Sequence, residues 1–137
     1  MLDELSREDC LRRLASFSVG RVAVARPDEP PLVVPVNYIL DNEVIVFRTD
    51  PGHKLLVLRE HTAASFQIDE IDPFQHGGWS VLVQGHAYEA APYEIRHLRV
   101  QPWAGGAKER WIRLVPSRIT GRTIRLAEPY LDGRAYL

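Results

Sequence analysis

Apolar and polar positions alternate with a period of two through most of this chain, which is the signature of half-buried strands. Val22 and Val24 share one side of a first strand over Arg21–Ala25. A second strand runs from Leu32 to Leu40, with Pro35 inside it, so an edge position or a bulge is expected there. The cluster Pro27-Asp28-Glu29-Pro30-Pro31 predicts the turn between them, and Asp41-Asn42 predicts a tight hairpin into a third strand, Val44–Arg48. Ala64, Phe66 and Ile68 then alternate with Ser65, Gln67 and Asp69. Glu70–Gly78 reads as a loop, and Trp79–Glu89 as the longest strand, with Gly85 marking a bend or bulge. Trp111–Leu114 and Ile119–Leu126 read as two last strands separated by Val115-Pro116-Ser117.

The period changes to that of a helix in three short places. Ser6 followed by Asp9 forms a capping box, and Cys10, Leu11, Leu14 and Phe17 fall on one face, which predicts a helix over residues 7–16. Leu55-Leu56-Val57-Leu58 predicts about two turns over 54–60, and Pro92 opens a helix running to about Val100, with Ile95 and Leu98 inward. Pro102, Gly105 and Gly106 mark a loop, and the tail from Ala127 has no period and needs a partner to order it. Six or seven strands joined by short turns predict a mainly antiparallel sheet, and closure into a small barrel removes its edges. Residues 1–137 form a single domain.

Composition narrows the function. Hydrophobic residues make up 45% and charged residues 26%, an ordinary globular balance. Seventeen basic against eighteen acidic residues leave a formal charge of −1. That argues against nucleic acid and anionic membranes, both of which favour a basic surplus. No run has spanning length and the start lacks a signal peptide's apolar core, so the expected location is the cytoplasm. The single Cys10 excludes an intrachain disulfide.

One stretch gathers chemistry: VIVFRTDPGHKLLVL, from Val44 to Leu58. A strand ends in Arg48-Thr49, breaks at Asp50-Pro51-Gly52, and a helix begins near His53-Lys54. Guanidinium, hydroxyl, ammonium and free helix N–H groups at one corner suit an anion such as phosphate. The plain alternative is a strand–turn–helix corner with Arg48 and Lys54 solvated. No nucleophile–base pairing stands out, and the five histidines lack the spacing of a helical zinc motif. Catalytic and metal-ligating residues are therefore expected to be none, and redox work would need a cofactor. Trp79-Ser80 reads either as core or as an apolar wall with a hydrogen-bonding hydroxyl beside a flat ring. Asn37 breaks the apolar alternation and needs partners, from the sheet or from a ligand. Arg118, Thr120 and Arg122 cluster late in the chain, on what reads as a solvated strand face.

Taken in order, Val19-Gly20-Arg21, Pro35-Val36-Asn37-Tyr38, Val46-Phe47-Arg48-Thr49, Gly52-His53-Lys54, Asp69-Glu70-Ile71-Asp72, Gly78-Trp79-Ser80-Val81, Gln101-Pro102-Trp103 and Ile119-Thr120-Gly121-Arg122 resemble the pyridoxamine 5′-phosphate oxidase-like flavin-binding split barrels. The likeness is greatest to small bacterial members of actinobacterial type. It implies a six-stranded antiparallel split β-barrel that forms a homodimer, with FMN in a groove between subunits. By position it implies that Arg48, Thr49, His53 and Lys54 hold the FMN phosphate, and that Val36, Asn37, Tyr38 and Phe47 line the ring's strand. Trp79 and Ser80 would reach the ring from a neighbouring strand or the partner. The implied activity is that of an FMN-dependent oxidoreductase on a small-molecule substrate. Relatives that bind a deazaflavin or haem imply the alternative of a carrier or sensor. The chain lacks the basic C-terminal motif of true pyridoxamine phosphate oxidases, ending instead in Arg134-Ala135-Tyr136-Leu137, which argues against vitamin B6 oxidation.

Overall fold

Strands with one apolar side need a shared interior, and here six of them close around it. The computed structural model describes residues 3–49, 62–74, 76–98 and 110–125. In chain order these form α1 (Arg7–Ser16), β1 (Val19–Arg26), β2 (Glu29–Asp41), β3 (Val44–Thr49), β4 (Thr62–Asp72), β5 (Gly77–Glu89), α2 (Pro92–Ile95) and β6 (Arg110–Arg125). Every pairing is antiparallel, in the closed order β1-β2-β3-β6-β5-β4. β6, the last of the described strands, is inserted between β3 and β5.

The interior holds alternating positions of every strand: Val22 and Val24, and Phe66 and Ile68, as read from the sequence, with Ile45 and Phe47, Val81 and Val83, and Ile112 and Leu114. Phe47 and Phe66 are fully buried, and truncating either to Ala would cost about 3–5 kcal/mol. α1 caps one end of the barrel. Ser6 Oγ accepts the Asp9 N–H at 3.1 Å, as the capping pattern predicts, and Cys10 and Leu14 are buried. The helix can approach β6 because position 121 is glycine; a Cβ there would stand 2.6 Å from Cys10 Sγ. Ahead of α1, the chain runs along β6: Leu5 N–H bonds to Gly121 O at 2.9 Å, and Thr123 N–H bonds to Asp3 O at 2.8 Å.

Several boundaries differ from the sequence reading. The first turn is confined to Pro27-Asp28, and Glu29 already pairs with Arg26 in β2. The hairpin turn is Asn42-Glu43, both with positive φ, as a two-residue turn of primed type requires. Glu70–Gly78 is not one loop: β4 continues to Asp72 and β5 starts at Gly77, because Asp72↔Gly77 and Ile71↔Gly78 still pair. The two last strands are one strand, β6. Its ladder with β5 skips one residue, passing from Gln84↔Arg118 to Gly85↔Pro116, and this bulge absorbs the break at Pro116-Ser117. Gly85 is required there, since a Cβ would lie 2.0 Å from Val115 O. α2 is a single turn, with Leu98 beyond it. The helix read over 54–60, the loop at 102–106 and the tail from Ala127 lie outside the described residues.

Pro35 occupies an edge stretch. β2 pairs with β3 only over Tyr38–Asp41, whereas residues 29–37 pair with β1 alone among the described strands. Tyr38 N–H bonds to Ser18 O toward β1, so two-residue alternation turns the Pro35 nitrogen toward the unpaired side. A missing donor costs nothing there. The closed barrel is split along this line.

Candidate functional site

At the end of β3 two residues diverge in kind. Phe47 pairs with Tyr38 across β2, and both point into the core; alternation therefore puts Arg48 and Asn37 side by side on the outer face. Arg48 is half-buried, and Asn37 is exposed. Thr49, on the inner side, is 5% exposed, and its Oγ1 has no hydrogen-bond partner among the described residues. A buried hydroxyl left unpaired costs about 1–3 kcal/mol, so this atom marks a place suited to a bound acceptor. His53 and Lys54 lie outside the described residues.

The other expected residues are distributed as follows. Val36 faces inward and is half-buried. Tyr38 is in the core: its hydroxyl donates to Leu14 O at 2.6 Å, its ring stacks edge-on to Phe66, and burial pushes its phenol up to about 12. Tyr38 and Phe47 can therefore offer an outside ligand only their backbone. Trp79 is buried under α1 and its C-terminal cap, with the Arg13 guanidinium 4.6 Å from its ring and Phe17 edge-on at 5.2 Å. Ser80, next to it, faces outward opposite Asp69 and Arg122. Asn37 and Arg48 share the outer face where β2 and β3 part, Thr49 lies on the inner side of β3, and Trp79 and Ser80 stand on β5, which β6 separates from β3.

A second polar assembly was not legible in the sequence. Arg113, on β6, donates from Nη1 to Asp41 at 3.1 Å and from Nε to the Tyr88 hydroxyl at 2.9 Å. Tyr88 in turn donates to Glu94, which also accepts the Ala91 N–H at the start of α2. His97 Nε2 meets Asp41 at 2.9 Å. Burial alone would raise the Asp41 carboxyl, but hydrogen bonds and charge from His97 and Arg113 outweigh it and hold the group below its ordinary value. The Tyr88 hydrogen bond does the same for Glu94, aided by the Ala91 amide. These residues come from four elements spread over seventy positions, and no local spacing announces them. With every strong charge answered, the network docks α2 on the β2–β3 hairpin. Among the described residues, no group of His, Cys, Asp and Glu side chains could hold a metal ion, and no helix is long and apolar enough to cross a membrane.

Comparison with known proteins extends this picture. A family model described as pyridoxamine 5′-phosphate oxidase matches residues 6–123. The uncharacterised protein Rv0080 of Mycobacterium tuberculosis is 32% identical over 126 residues, covering 86% of this chain and 82% of its own length. An FAD-binding protein from Mycobacterium smegmatis superposes with a TM-score of 0.79 at 31% identity, covering 91% of this chain and all of that one (100%). A Corynebacterium glutamicum structure, provisionally described as a pyridoxamine 5′-phosphate oxidase, superposes with a TM-score of 0.75 at 34% identity, covering 93% and 96% of the two chains.

Proposed function

The chain belongs to the pyridoxamine 5′-phosphate oxidase family, and from that premise we propose that it binds a flavin nucleotide, FMN in the first instance, at the end of β3. The observation that carries this reading is the buried Thr49 hydroxyl directly after Arg48, which has no hydrogen-bond partner among the described residues. A phosphate supplies the acceptor that Thr49 lacks and the anion that Arg48 attracts. His53 and Lys54, four and five positions further on, add a donor and a second cation in the sequence's own order. Asn37, exposed on the neighbouring strand, is placed to hydrogen-bond the edge of a flat ring. The M. smegmatis neighbour binds FAD, whose first phosphate is the same as that of FMN, so the corner serves either nucleotide.

A bound flavin supplies hydride or electron transfer, and we propose a small-molecule oxidoreductase on that basis. This chain's own residues fix the phosphate, orient the ring and close one side of its groove. A second copy of the chain completes the groove. The β2 edge, which no described strand pairs beyond β1 over residues 32–37, and Val33, 58% exposed beside it, support that assembly.

Titration with riboflavin, FMN and FAD, followed by absorbance and calorimetry, tests the reading. Lys54→Ala or Arg48→Ala should weaken both nucleotides roughly ten- to a hundredfold, the worth of one charge-assisted hydrogen bond, and leave riboflavin nearly unchanged. Equal losses for all three would remove the phosphate assignment. A Soret band in place of flavin bands would remove the flavin itself.

A further inference from the structure

The outer face of β6 carries a second basic site. Arg118, Thr120 and Arg122 alternate outward with the buried Ile119 and Gly121 between them. Ahead of α1, Glu4 pairs across from Arg122 as an isolated bridge, so the N-terminal segment forms the opposite wall. Between these walls lies a cavity of about 480 Å³ lined by Glu4, Leu5, Arg118, Ile119, Thr120 and Arg122.

Among the described residues, six arginines are paired with carboxylates, whereas those of this place, like Arg96 and Arg125, are not. Arg7, Arg12, Arg21, Arg26, Arg110 and Arg113 each meet a carboxylate within ion-pair reach. Arg118 and Arg122 meet none among the described residues, although Glu4 stands directly across the ladder from Arg122. Their cross-strand neighbours on β5 are Gln84 and Ser80, which are polar and uncharged. Two guanidinium groups four residues apart on one strand start about 13 Å from each other at the backbone, a span their long side chains close around one anionic group. Thr120 presents its hydroxyl midway. Leu5 gives the cavity an apolar component. The site is set apart from the β3 corner: Arg48 pairs with Trp111, seven residues before Arg118, or about 23 Å along β6.

We propose that this cavity binds a small organic anion, a phosphate or carboxylate on an apolar body, through Arg118, Thr120 and Arg122. Glu4 limits the ligand to one compact anionic head, because a second negative charge would meet the carboxylate wall. The proposal does not rest on flavin binding at Arg48.

Phenyl phosphate and benzoate, titrated into the full-length protein at matched ionic strength and followed by amide and arginine side-chain NMR, are the probes. At least one should give saturable shifts centred on residues 118–122, and the one that does identifies the head group. Arg118→Gln with Arg122→Gln should weaken that binding at least about tenfold, whereas Arg125→Gln at the exposed end of β6 and Arg48→Ala should leave it unchanged. If the double variant loses its fold by circular dichroism, each single variant should weaken binding severalfold. Absence of saturation for both probes, or an equal loss in Arg125→Gln, overturns the site.

Discussion

Tyr38 shows how one residue can look functional in the sequence and be structural in the fold. It lies within an apolar strand beside Asn37, and its hydroxyl is spent on the last turn of α1, at Leu14 O. Removing that bond in Tyr38→Phe should cost about 1 kcal/mol. The phenol, pushed up to about 12 by burial, keeps a proton that the unfolded chain releases near pH 10. Its stabilising contribution is therefore complete below about pH 10 and lost as pH rises toward 12. Urea unfolding across that range should show a falling alkaline limb, flatter in Tyr38→Phe. Trp79 follows the same logic: sequence pattern could not choose between core and ring wall, because both need an apolar indole at a strand entrance. Arg13 and Phe17, which cover it, come from α1 more than sixty residues away. Thr49 is the converse case. Its type was legible as a hydroxyl beside Arg48; its burial without a partner was not.

At the scale of elements, alternation identified the strands because inward positions must be apolar in all of them. It misplaced their ends where pairing, not polarity, decides. β4 and β5 keep pairing through Asp72 and Gly77, residues with no strand preference, and β6 passes Pro116 by shifting register against Gly85. α2 is the element the sequence overextended. One turn of helix cannot hold itself, and the structure supplies what is missing through Arg113, Tyr88 and Asp41. Asp41 and Arg113 are 14% and 16% exposed at their side chains, so breaking the pair leaves a charge largely out of water. Asp41→Ala should cost about 3–5 kcal/mol at pH 7. The lowered Asp41 value means its contribution is present above the unfolded carboxyl's pKa near 3.9 and lost as pH falls through the folded one. The variant's deficit in urea midpoint should thus shrink between pH 7 and pH 3; a deficit constant with pH would mean that packing, not charge, is what Asp41 supplies.

For the whole molecule, closure was foreseeable from strand number and length; Pro35 pointed to an edge or a bulge, and the split itself was implied only by the family resemblance. Among the described strands, the β2 edge that holds Pro35 is unpaired on the β3 side over residues 29–37 and flanked by exposed Val33 and Ile39. Such an edge invites a second strand or a second copy. We expect a dimer by light scattering at micromolar concentration, burying more than about 1,000 Å² in total. Val33→Lys, which places a charge beside the edge, should shift the population toward monomer and lower flavin affinity with it. A monomer with full flavin affinity would show that one subunit suffices.

The contact between Asp3 and Thr123 spans 120 positions, and β6 must slide between two strands made long before it. During synthesis at about 5–20 residues per second, β1 to β3 and then β4 and β5 emerge over roughly ten seconds before β6 exists to join them. For that interval β3 and β5 each wait with one side open, and α1 has no Gly121 to rest on. The nascent chain is thus a sheet with a gap in it, vulnerable to strands from its neighbours, and becomes a barrel only once β6 has been made. Crowded synthesis should therefore harm yield more than any surface substitution does, and slowing initiation should restore it.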